Sequence, residues 1–152
     1  MGNLVFTNGC FDILHPGHIR LLRWARQQGD CLIVGVNSDA SIRRLKGRNR
    51  PIMPLADRVE MLRAIQWVDC VTVFDEDTPV KLIERLRPDV LVKGPECRNT
   101  MIPGADLVQS WDGHVAIPDW PVEPGHSTSA IEGRILAAMV QNVVVKQCLS
   151  IP

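Results

Sequence analysis

The sequence lacks several features that mark whole classes of protein. No apolar run is long enough to cross a bilayer, and the N-terminal segment does not have the pattern of a signal peptide. The five cysteines are scattered without a Cys-x-x-Cys pair, so neither a disulfide framework nor a zinc knuckle is indicated. Net charge is also absent, because 17 basic residues balance 17 acidic ones. Since general nucleic-acid binders are usually basic, we expect a cytoplasmic protein that binds neither nucleic acid nor membrane.

What remains is the composition of an ordinary globular domain. Apolar residues make up 45% of the chain and charged residues 22%, and 152 residues suffice for one sizeable core. Apolar strand-like runs alternate with segments of helical periodicity, which is typical of βαβ units. The sequence therefore predicts a single α/β, Rossmann-like domain over residues 1–152. We expect a parallel five-stranded sheet with helices on both faces.

One stretch, Asn8–His18, organises the rest of the chain. It follows the short apolar run Leu4–Phe6 and precedes a segment of helical spacing, so it is predicted to be a strand-to-helix turn. Gly9 permits a tight backbone turn close to a ligand, and Pro16 suits the first turn of a helix. A helix start carries unpaired N–H groups and a partial positive charge, which together favour phosphate.

Two histidines stand at that helix start. His15 and His18 are three residues apart, so they share one face of the first turn. Imidazoles donate hydrogen bonds to phosphoryl oxygens and, when protonated, offset charge that develops during phosphoryl chemistry. A helix cap, a surface position or a metal site would also explain a single such histidine. Because no carboxylate or cysteine shares the spacing, we predict no metal ligands here.

A second helix start is predicted after Ser127, in a helix that runs to about Val140. In open α/β sheets, ligands bind at the carboxyl edge, where neighbouring connections diverge. With the first strand at the centre, the turn at Lys93-Gly94 and the Ser127 helix start would converge on the first turn. Two helix N-termini facing one cleft make a strong anion site.

Residues 43–50 carry five cations and no acid. A solvated loop is one interpretation, and a mobile cationic flap over a polyphosphate is the other. Because the segment follows the carboxyl end of a predicted strand, we favour a flap that becomes ordered when nucleotide binds. The apolar segment Val143–Val145 and the tryptophans suggest a surface that a homodimer would cover.

The run Gly9–His18 resembles the G-x-F-D-x-x-H-x-G-H signature of the cytidylyltransferase-like nucleotidyltransferases. Further stretches resemble the adenylyltransferase domain of bacterial ADP-heptose synthases, and the likeness covers roughly residues 4–135. These stretches are Asn37–Ser41, Arg44–Gly47, Asp75–Pro79, Leu91–Gly94 and Ser127–Ile131.

The resemblance implies a single nucleotidyltransferase domain that moves AMP from ATP onto a heptose 1-phosphate and releases pyrophosphate. It also implies Mg²⁺, held largely by nucleotide phosphates. The expected catalytic residues are His15, His18 and Lys46, with Lys46 on the β/γ-phosphates. The expected nucleotide-binding residues are these three together with Asn8, Gly9, Cys10, Phe11, Gly94, Gly125, His126, Ser127, Thr128 and Ser129.

Four further residues are expected to bind the acceptor substrate: Asp12, Arg58, Lys81 and Lys93. Asp12 would orient a histidine or a magnesium-bound water, and the alternative is an aspartate that caps the turn. The other three are candidates for the acceptor phosphate, and the alternative for each is an ordinary surface charge.

The chain also departs from the family pattern. The family usually has Lys-Gly-Gly-Asp-Tyr after the fourth strand, where this chain has Lys93–Arg98 with a proline that removes an N–H. Bifunctional relatives carry a sugar kinase domain, for which this chain has no room, so a separate kinase is expected to supply the sugar phosphate.

Two other functions stay open. A glycerol 3-phosphate or other polyol phosphate cytidylyltransferase would have an arginine near Val122, and a non-catalytic nucleotide-binding module is possible on any such fold.

Overall fold

The computed structural model describes residues 2–121 and 125–148, with side chains up to residue 140. Its strands are β1 (Leu4–Gly9), β2 (Cys31–Asn37), β3 (Cys70–Phe74), β4 (Val90–Val92) and β5 (His114–Ala116). They form one five-stranded sheet in the order β3-β2-β1-β4-β5, and all four pairings are parallel. The predicted parallel sheet, with the first strand at its centre, is therefore confirmed.

Six helices connect these strands in the described residues. They are α1 (Pro16–Arg26), α2 (Asp39–Lys46), α3 (Leu55–Arg63), α4 (Val80–Leu86), α5 (Ala105–Ser110) and α6 (Thr128–Cys148), and a 3₁₀ turn spans Pro95–Cys97. In that part of the chain, none of them combines the length and apolar character that a membrane crossing requires.

The hydrophobic core lies on both faces of the sheet, because successive residues of a strand point to opposite sides. Val5 packs in one cluster with Leu22 of α1 and Leu62 of α3. Its neighbour Phe6 packs in a second cluster, with Ile83 of α4 and Val108 of α5. Helices therefore cover both faces, as the alternating pattern predicts.

The central strand ends beside both of its neighbours. Gly9 at the end of β1 lies opposite Val36 of β2, and Thr7 lies opposite Val92 of β4. The chain leaves β1 towards β2 through α1, whereas β4 is reached through α4 on the other face. The connections thus diverge at the carboxyl end of β1, which is where such sheets bind ligands.

Two helices extend beyond their predicted ends. α2 is capped by Ser38, whose hydroxyl accepts from the Ser41 N–H at 3.0 Å, and it continues to Lys46 before Gly47. The first half of the predicted cationic loop is therefore helix. α6 continues past Val140 to Cys148, because no proline or glycine interrupts residues 134–148. The side chains of residues 141–148 lie outside the described part, so docking of the apolar tail stays a prediction.

Candidate active site

The turn between β1 and α1 has an unusual backbone. Phe11 and Ile13 both adopt the left-handed region, with φ of 49° and 58°. Such a conformation is rare for any residue with a side chain and particularly for a β-branched one, and it costs about 1–3 kcal/mol per residue. The residue between them, Asp12, is 2% exposed and is tied to a distant segment, which keeps the turn in this shape.

Asp12 anchors the turn through its carboxylate. It accepts hydrogen bonds from the N–H groups of Ile52 and Met53, both at 2.9 Å, and from the Arg50 guanidinium at 2.9 Å. Burial raises the pKa of this carboxyl, but the two N–H groups and Arg50 outweigh that effect and hold the pKa below its usual value. Arg50 also pairs with Glu132 of α6. The structure shows Asp12 in neither of the two expected roles. Its carboxylate contacts the distant residues Arg50, Ile52 and Met53 rather than a histidine or an N–H group of its own turn.

The two histidines of the motif form a stacked pair. Their ring centroids are 3.8 Å apart with an interplanar angle of 27°. His15 is the N-cap of α1, and its carbonyl accepts from the His18 N–H at 3.0 Å. Between them, Gly17 leaves space that a side chain would fill, since a Cβ there would lie 3.0 Å from the His15 ring and 3.2 Å from the His126 carbonyl.

The pKa of each imidazole is lowered, which favours the neutral form of both rings. Burial, helped by the neighbouring His15 and Lys46 charges, lowers the pKa of His18 to about 3. Burial and His126 lower the pKa of His15, and the opposing charge of Glu96 does not cancel them. The Nδ1 atoms of His15 and His18 are buried and lack a hydrogen-bond partner among the described residues. Buried polar atoms are normally satisfied, so two such atoms side by side mark a position that a ligand completes.

These rings face a cavity of about 340 Å³ at the carboxyl edge of the sheet. The wall is made by the first turns of α1 and α6, the end of α2, and the turns after β4 and β5. Its residues are His15, Gly17, His18, Arg20, Leu21, Lys46, Gly94, Pro95, Glu96, Trp120, Pro121, His126, Ser127, Thr128 and Ser129. The expected convergence of the two helix starts and the turn after β4 is therefore confirmed. Eight of the predicted site residues lie on this wall.

The start of α6 is built to present N–H groups to the cavity. The Ser127 hydroxyl accepts from the Ala130 N–H at 3.2 Å, which makes Ser127 the cap that the sequence predicts. The Thr128 hydroxyl donates to the carbonyl of Asp12 at 2.7 Å and so ties α6 to the turn before α1. The two helix N-termini are thus held together across the cavity, an arrangement suited to a polyphosphate.

Arg58 was expected to bind the acceptor phosphate, and this prediction is wrong. Its side chain is fully buried, and the guanidinium is saturated by protein acceptors. These are the carbonyls of Cys10, Asn37 and Met53, at 2.6, 3.0 and 3.1 Å, and the carboxylate of Asp39, at 2.7 Å. Arg58 therefore organises the ends of β1 and β2 from inside the protein.

Two lysines expected at the acceptor are also placed elsewhere. Lys81 is exposed on α4 and pairs with Glu76 at 3.5 Å, away from the cavity wall. Lys93 donates to the side chain of Asn8 and so connects the ends of β4 and β1. Burial lowers the pKa of Lys93, against the opposing charges of Cys97 and Glu96. Neither lysine belongs to the wall, so neither acceptor assignment is supported.

Five residues expected at the nucleotide lie beside the cavity rather than on its wall: Asn8, Gly9, Cys10, Phe11 and Gly125. The carbonyl of Cys10 is occupied by Arg58, and the Phe11 side chain is 4% exposed, with its ring 5.2 Å from that of His18. These two residues support the histidine turn, and their expected part in nucleotide binding stays a prediction.

The cations of segment 43–50 have different surroundings in the structure. Arg44 pairs with Asp77 at 2.8 Å, and Arg50 is held by Asp12 and Glu132. Of the remaining cations, Lys46 reaches the cavity wall. Two of the five cations of the expected flap are thus fixed by acids from distant parts of the chain.

Among the wall residues that the sequence prediction missed, three have side chains suited to contact a ligand: Arg20, Glu96 and Trp120. Arg20 lies three residues after Gly17 on the same helix, so helical spacing from the histidine motif would have found it. Glu96 falls in the run that departs from the family pattern, and it is the one carboxylate on the described wall. Trp120 comes from the loop after β5 and has no local signal.

The site fits a magnesium ion that arrives with its nucleotide. Among the described residues, no group of three or more His, Cys, Asp or Glu side chains is placed to hold a metal. Glu96 and the hydroxyls at the start of α6 offer too few oxygens for an all-protein site. Because Mg²⁺ readily takes most of its ligands from phosphates and water, this sparse donor set suits it.

Comparison with known proteins agrees with this geometry. The family model described as "Cytidylyltransferase-like" matches residues 6–134. The chain is 52% identical over 133 residues to "Bifunctional protein HldE" of Syntrophotalea carbinolica and 53% identical over 133 residues to the protein of that name from Gluconacetobacter diazotrophicus. Each match covers 88% of this chain and 27% of the relative, so the chain spans about a quarter of their length.

A solved structure is similar as well. It is described as a lipopolysaccharide core biosynthesis protein from Thermoplasma volcanium, with a TM-score of 0.63 and 27% identity. The match covers 77% of this chain and 94% of that one.

Proposed function

Because this chain belongs to the cytidylyltransferase-like family and is thereby a nucleotidyltransferase, we propose that it transfers AMP from ATP to a heptose 1-phosphate. One observation carries the proposal. The stacked imidazoles of His15 and His18 have unpartnered, buried Nδ1 atoms, and they face a cavity between two helix N-termini. A bound triphosphate would satisfy the N–H groups at both helix starts.

The reaction needs positioning and charge stabilisation rather than a covalent nucleophile. An oxygen of the acceptor phosphate attacks the α-phosphorus, and the bond from that phosphorus to the β-phosphate oxygen breaks to release pyrophosphate. His15 and His18 donate hydrogen bonds to the phosphoryl oxygens as charge develops there. Lys46, at the end of α2, holds the leaving pyrophosphate, and Ser127 and Thr128 hold nucleotide phosphate from the start of α6.

Mg²⁺ would supply further neutralisation of the triphosphate and of the departing pyrophosphate. Phosphate oxygens would hold most of it, and Glu96 is the protein carboxylate available on the wall. We do not assign this role to Asp12, because its carboxylate accepts hydrogen bonds from Arg50, Ile52 and Met53.

The acceptor and the donor base come from the resemblance to the adenylyltransferase domain of ADP-heptose synthases. The similarity to HldE proteins and to a lipopolysaccharide core biosynthesis protein supports this choice. A sugar kinase reaction, whether on the same polypeptide or on another, must supply the phosphorylated sugar. Val122, the position relevant to polyol phosphate cytidylyltransferases, lies outside the described residues.

A pyrophosphate-release assay tests the proposal. ATP and CTP are each offered with heptose 1-phosphate, other sugar 1-phosphates and glycerol 3-phosphate, in the presence of Mg²⁺. We expect the highest kcat/KM for ATP with heptose 1-phosphate, and no release by a His15→Ala/His18→Ala double variant. A preference for CTP with glycerol 3-phosphate would contradict the substrate assignment. Tight ATP binding without turnover on any acceptor would instead favour a binding module.

We also propose that the protein is a cytoplasmic homodimer. Several apolar side chains of α6 are more than half exposed, which leaves a face that a second copy would cover: Ile135, Leu136, Met139 and Val140. Light scattering at micromolar concentration checks this, and a species of only 17.0 kDa would contradict it.

A further inference from the structure

We infer that a groove beside the nucleotide cavity, between α1 and the loop after β5, binds the sugar ring of the phosphorylated acceptor. The groove has a volume of about 300 Å³ and is lined by Arg20, Arg23, Trp24, Gln27 and Trp120. None of its residues belongs to the recognised sequence motifs. The inference rests on the proposed function and adds to it the place and chemistry of acceptor recognition.

The groove is continuous with the site of reaction. Arg20 and Trp120 line both the groove and the nucleotide cavity, so they form the boundary between the two. Arg20, Trp24 and Gln27 follow one another at helical spacing and form a single face of α1. A molecule lying along this face would have one end at Arg20, one helical turn from the histidine motif.

The chemistry of the groove suits a hydroxyl-rich anion. Two guanidinium groups and one amide offer several donors, and two indoles offer flat apolar surfaces for the C–H face of a sugar. A neighbouring cleft between α1 and α3 is larger, at about 650 Å³, but its lining is mainly apolar, including Leu14, Ile19, Met61 and Ile65. That cleft shares Arg20 and Arg23 with the groove but has neither of the two indoles nor the Gln27 amide, so the groove is the better receptor for a sugar ring.

The wall opposite α1 is held in place by the part of the chain that departs from the family pattern. The Trp120 ring meets Trp24 edge-on, with centroids 5.6 Å apart and an angle of 85°. Arg98 donates to the carbonyl of Pro118 at 2.5 Å and towards that of Trp120 at 3.4 Å. The departure at residues 95–98 thus connects directly to the groove through Arg98.

Arg20 is the residue placed to receive the acceptor phosphate. Long side chains on a helix lean back towards its N-terminus, which directs the guanidinium towards the turn of His15. Arg20 lines the nucleotide cavity, the groove and the apolar cleft, so it stands where these three spaces meet. Planar guanidinium groups bind phosphate through paired hydrogen bonds, and this one takes the place that the sequence suggested for Arg58 and Lys81.

The test compares variants of the full chain by steady-state kinetics with ATP and heptose 1-phosphate. Arg20→Ala should raise KM for heptose 1-phosphate about 10- to 100-fold, since a hydrogen bond to a charged group has that effect, and should change KM for ATP less than about threefold. Arg20→Lys should restore part of the loss. The double variant Arg23→Ala/Gln27→Ala should raise the acceptor KM about three- to tenfold. Arg85→Ala, which removes an exposed arginine from α4, is the matched control and should behave as wild type.

A second measurement keeps the groove testable apart from turnover. Tryptophan fluorescence is titrated with heptose 1-phosphate and with a set of hexose 1-phosphates, in the presence of a non-hydrolysable ATP analogue. Wild type should respond to at least one sugar phosphate, and Arg20→Ala should need about tenfold more. If wild type binds sugar phosphates but transfers no nucleotide, the proposed function fails while the groove stands. If no sugar phosphate alters the fluorescence, or if the groove variants raise KM for ATP instead of the acceptor, the groove assignment is wrong.

Discussion

Two neighbouring regions of this protein differ in whether their buried polar groups have hydrogen-bond partners. In the segment from Arg50 to Arg58, the two guanidinium groups and the N–H groups of Ile52 and Met53 are paired, with Asp12, Asp39 and three backbone carbonyls as partners. The histidine turn, which this segment supports, has two buried ring nitrogens without a partner among the described residues. The contacts of the first region lie within the protein, whereas the second leaves two ring nitrogens at the position where we propose that a ligand binds.

The difference separates residues that hold the shape from residues that act on substrate. A satisfied buried network is expensive to break, because each lost partner leaves another group desolvated and unpaired. Unsatisfied imidazoles contribute little to folding and can even oppose it. We therefore expect substitutions in the first region to lower stability and substitutions in the second to lower turnover, and the following experiments test that separation.

The largest expected effect is on stability, from Arg58→Met. This change leaves one carboxylate and three carbonyls without their donor inside the protein, and removing one partner of a buried charge pair costs about 3–5 kcal/mol. The free energy of unfolding in urea measures it. Arg85→Met on the exposed surface of α4 is the control and should cost less than about 0.5 kcal/mol. A loss below about 1 kcal/mol for Arg58→Met would show that the network does not hold the site.

His18→Ala should have the next largest effect, and it should fall on turnover. Removing one preorganised donor to a developing charge typically lowers kcat about 100- to 1,000-fold. Nucleotide affinity should change far less, and the free energy of unfolding at neutral pH should not fall in proportion. The double variant with His15→Ala should be less than additive, because the pair acts on one charge. Near-normal kcat in folded His18→Ala protein would refute the mechanism.

The contrast between these two regions shows what the sequence reveals and what it does not. The histidine turn is predictable because its signals are local: a short apolar run, Gly9, Pro16 and two histidines three residues apart. Arg58 looks equally available in the sequence, but its partners Asn37 and Cys10 lie 21 and 48 residues away. Whether an arginine is saturated or available depends on which distant carbonyls the fold brings to it.

The same reasoning explains the other discrepancies. Arg50 and its partner Glu132 are 82 residues apart. The sequence around residues 43–50 therefore gives no sign that an acid pairs with this run of cations. Trp120 reaches the cavity because β5 is the edge strand beside β4, a fact of topology and not of local pattern. By contrast, the Ser127 cap and the central position of the first strand follow from local spacing and from the rules of parallel sheets.

The pH dependence of the free energy of unfolding is a smaller expected effect. It depends on the histidine turn through His18 and not on the network around Arg58. His18 has a pKa of about 3 in the folded protein and an ordinary value of 6.5 when unfolded. As the pH falls, the unfolded chain therefore takes up a proton before the folded protein does. The free energy of unfolding is highest above pH 6.5 and falls as the pH drops towards 3. The slope is about 1.4 kcal/mol per pH unit, or about 2 kcal/mol between pH 6.5 and 5.

His18→Ala should flatten this slope, and urea unfolding at pH 5, 6 and 7 measures it. Asp12 does not interfere in that window. Its pKa is lowered from 3.8, so its contribution to stability is present above pH 3.8 and is lost only as the pH falls further. His15, whose pKa is also lowered, contributes with the same sign and leaves part of the slope in the variant. Identical slopes in wild type and His18→Ala would contradict the buried, neutral imidazole.

The smallest expected effect concerns the loop at residues 47–50, which runs from the end of α2 to Arg50. One end continues from α2 at Lys46 on the cavity wall, and the other is fixed by Arg50 to Asp12. Between them, Arg48 and Asn49 are exposed. Nucleotide phosphates would reduce the repulsion among the nearby cations, so ATP should slow amide exchange in this loop. Because Arg50 already restrains the loop, the slowing should be only about three- to tenfold, corresponding to roughly 0.7–1.4 kcal/mol.

Hydrogen exchange with and without ATP measures this slowing, and residues 43–46 within α2 should change less. Lys46→Ala should abolish the ATP-dependent slowing while the start of α6 still binds nucleotide. Equal exchange in both states would mean that the loop plays no part in closing over the phosphates, and that Lys46 acts from a position fixed in advance.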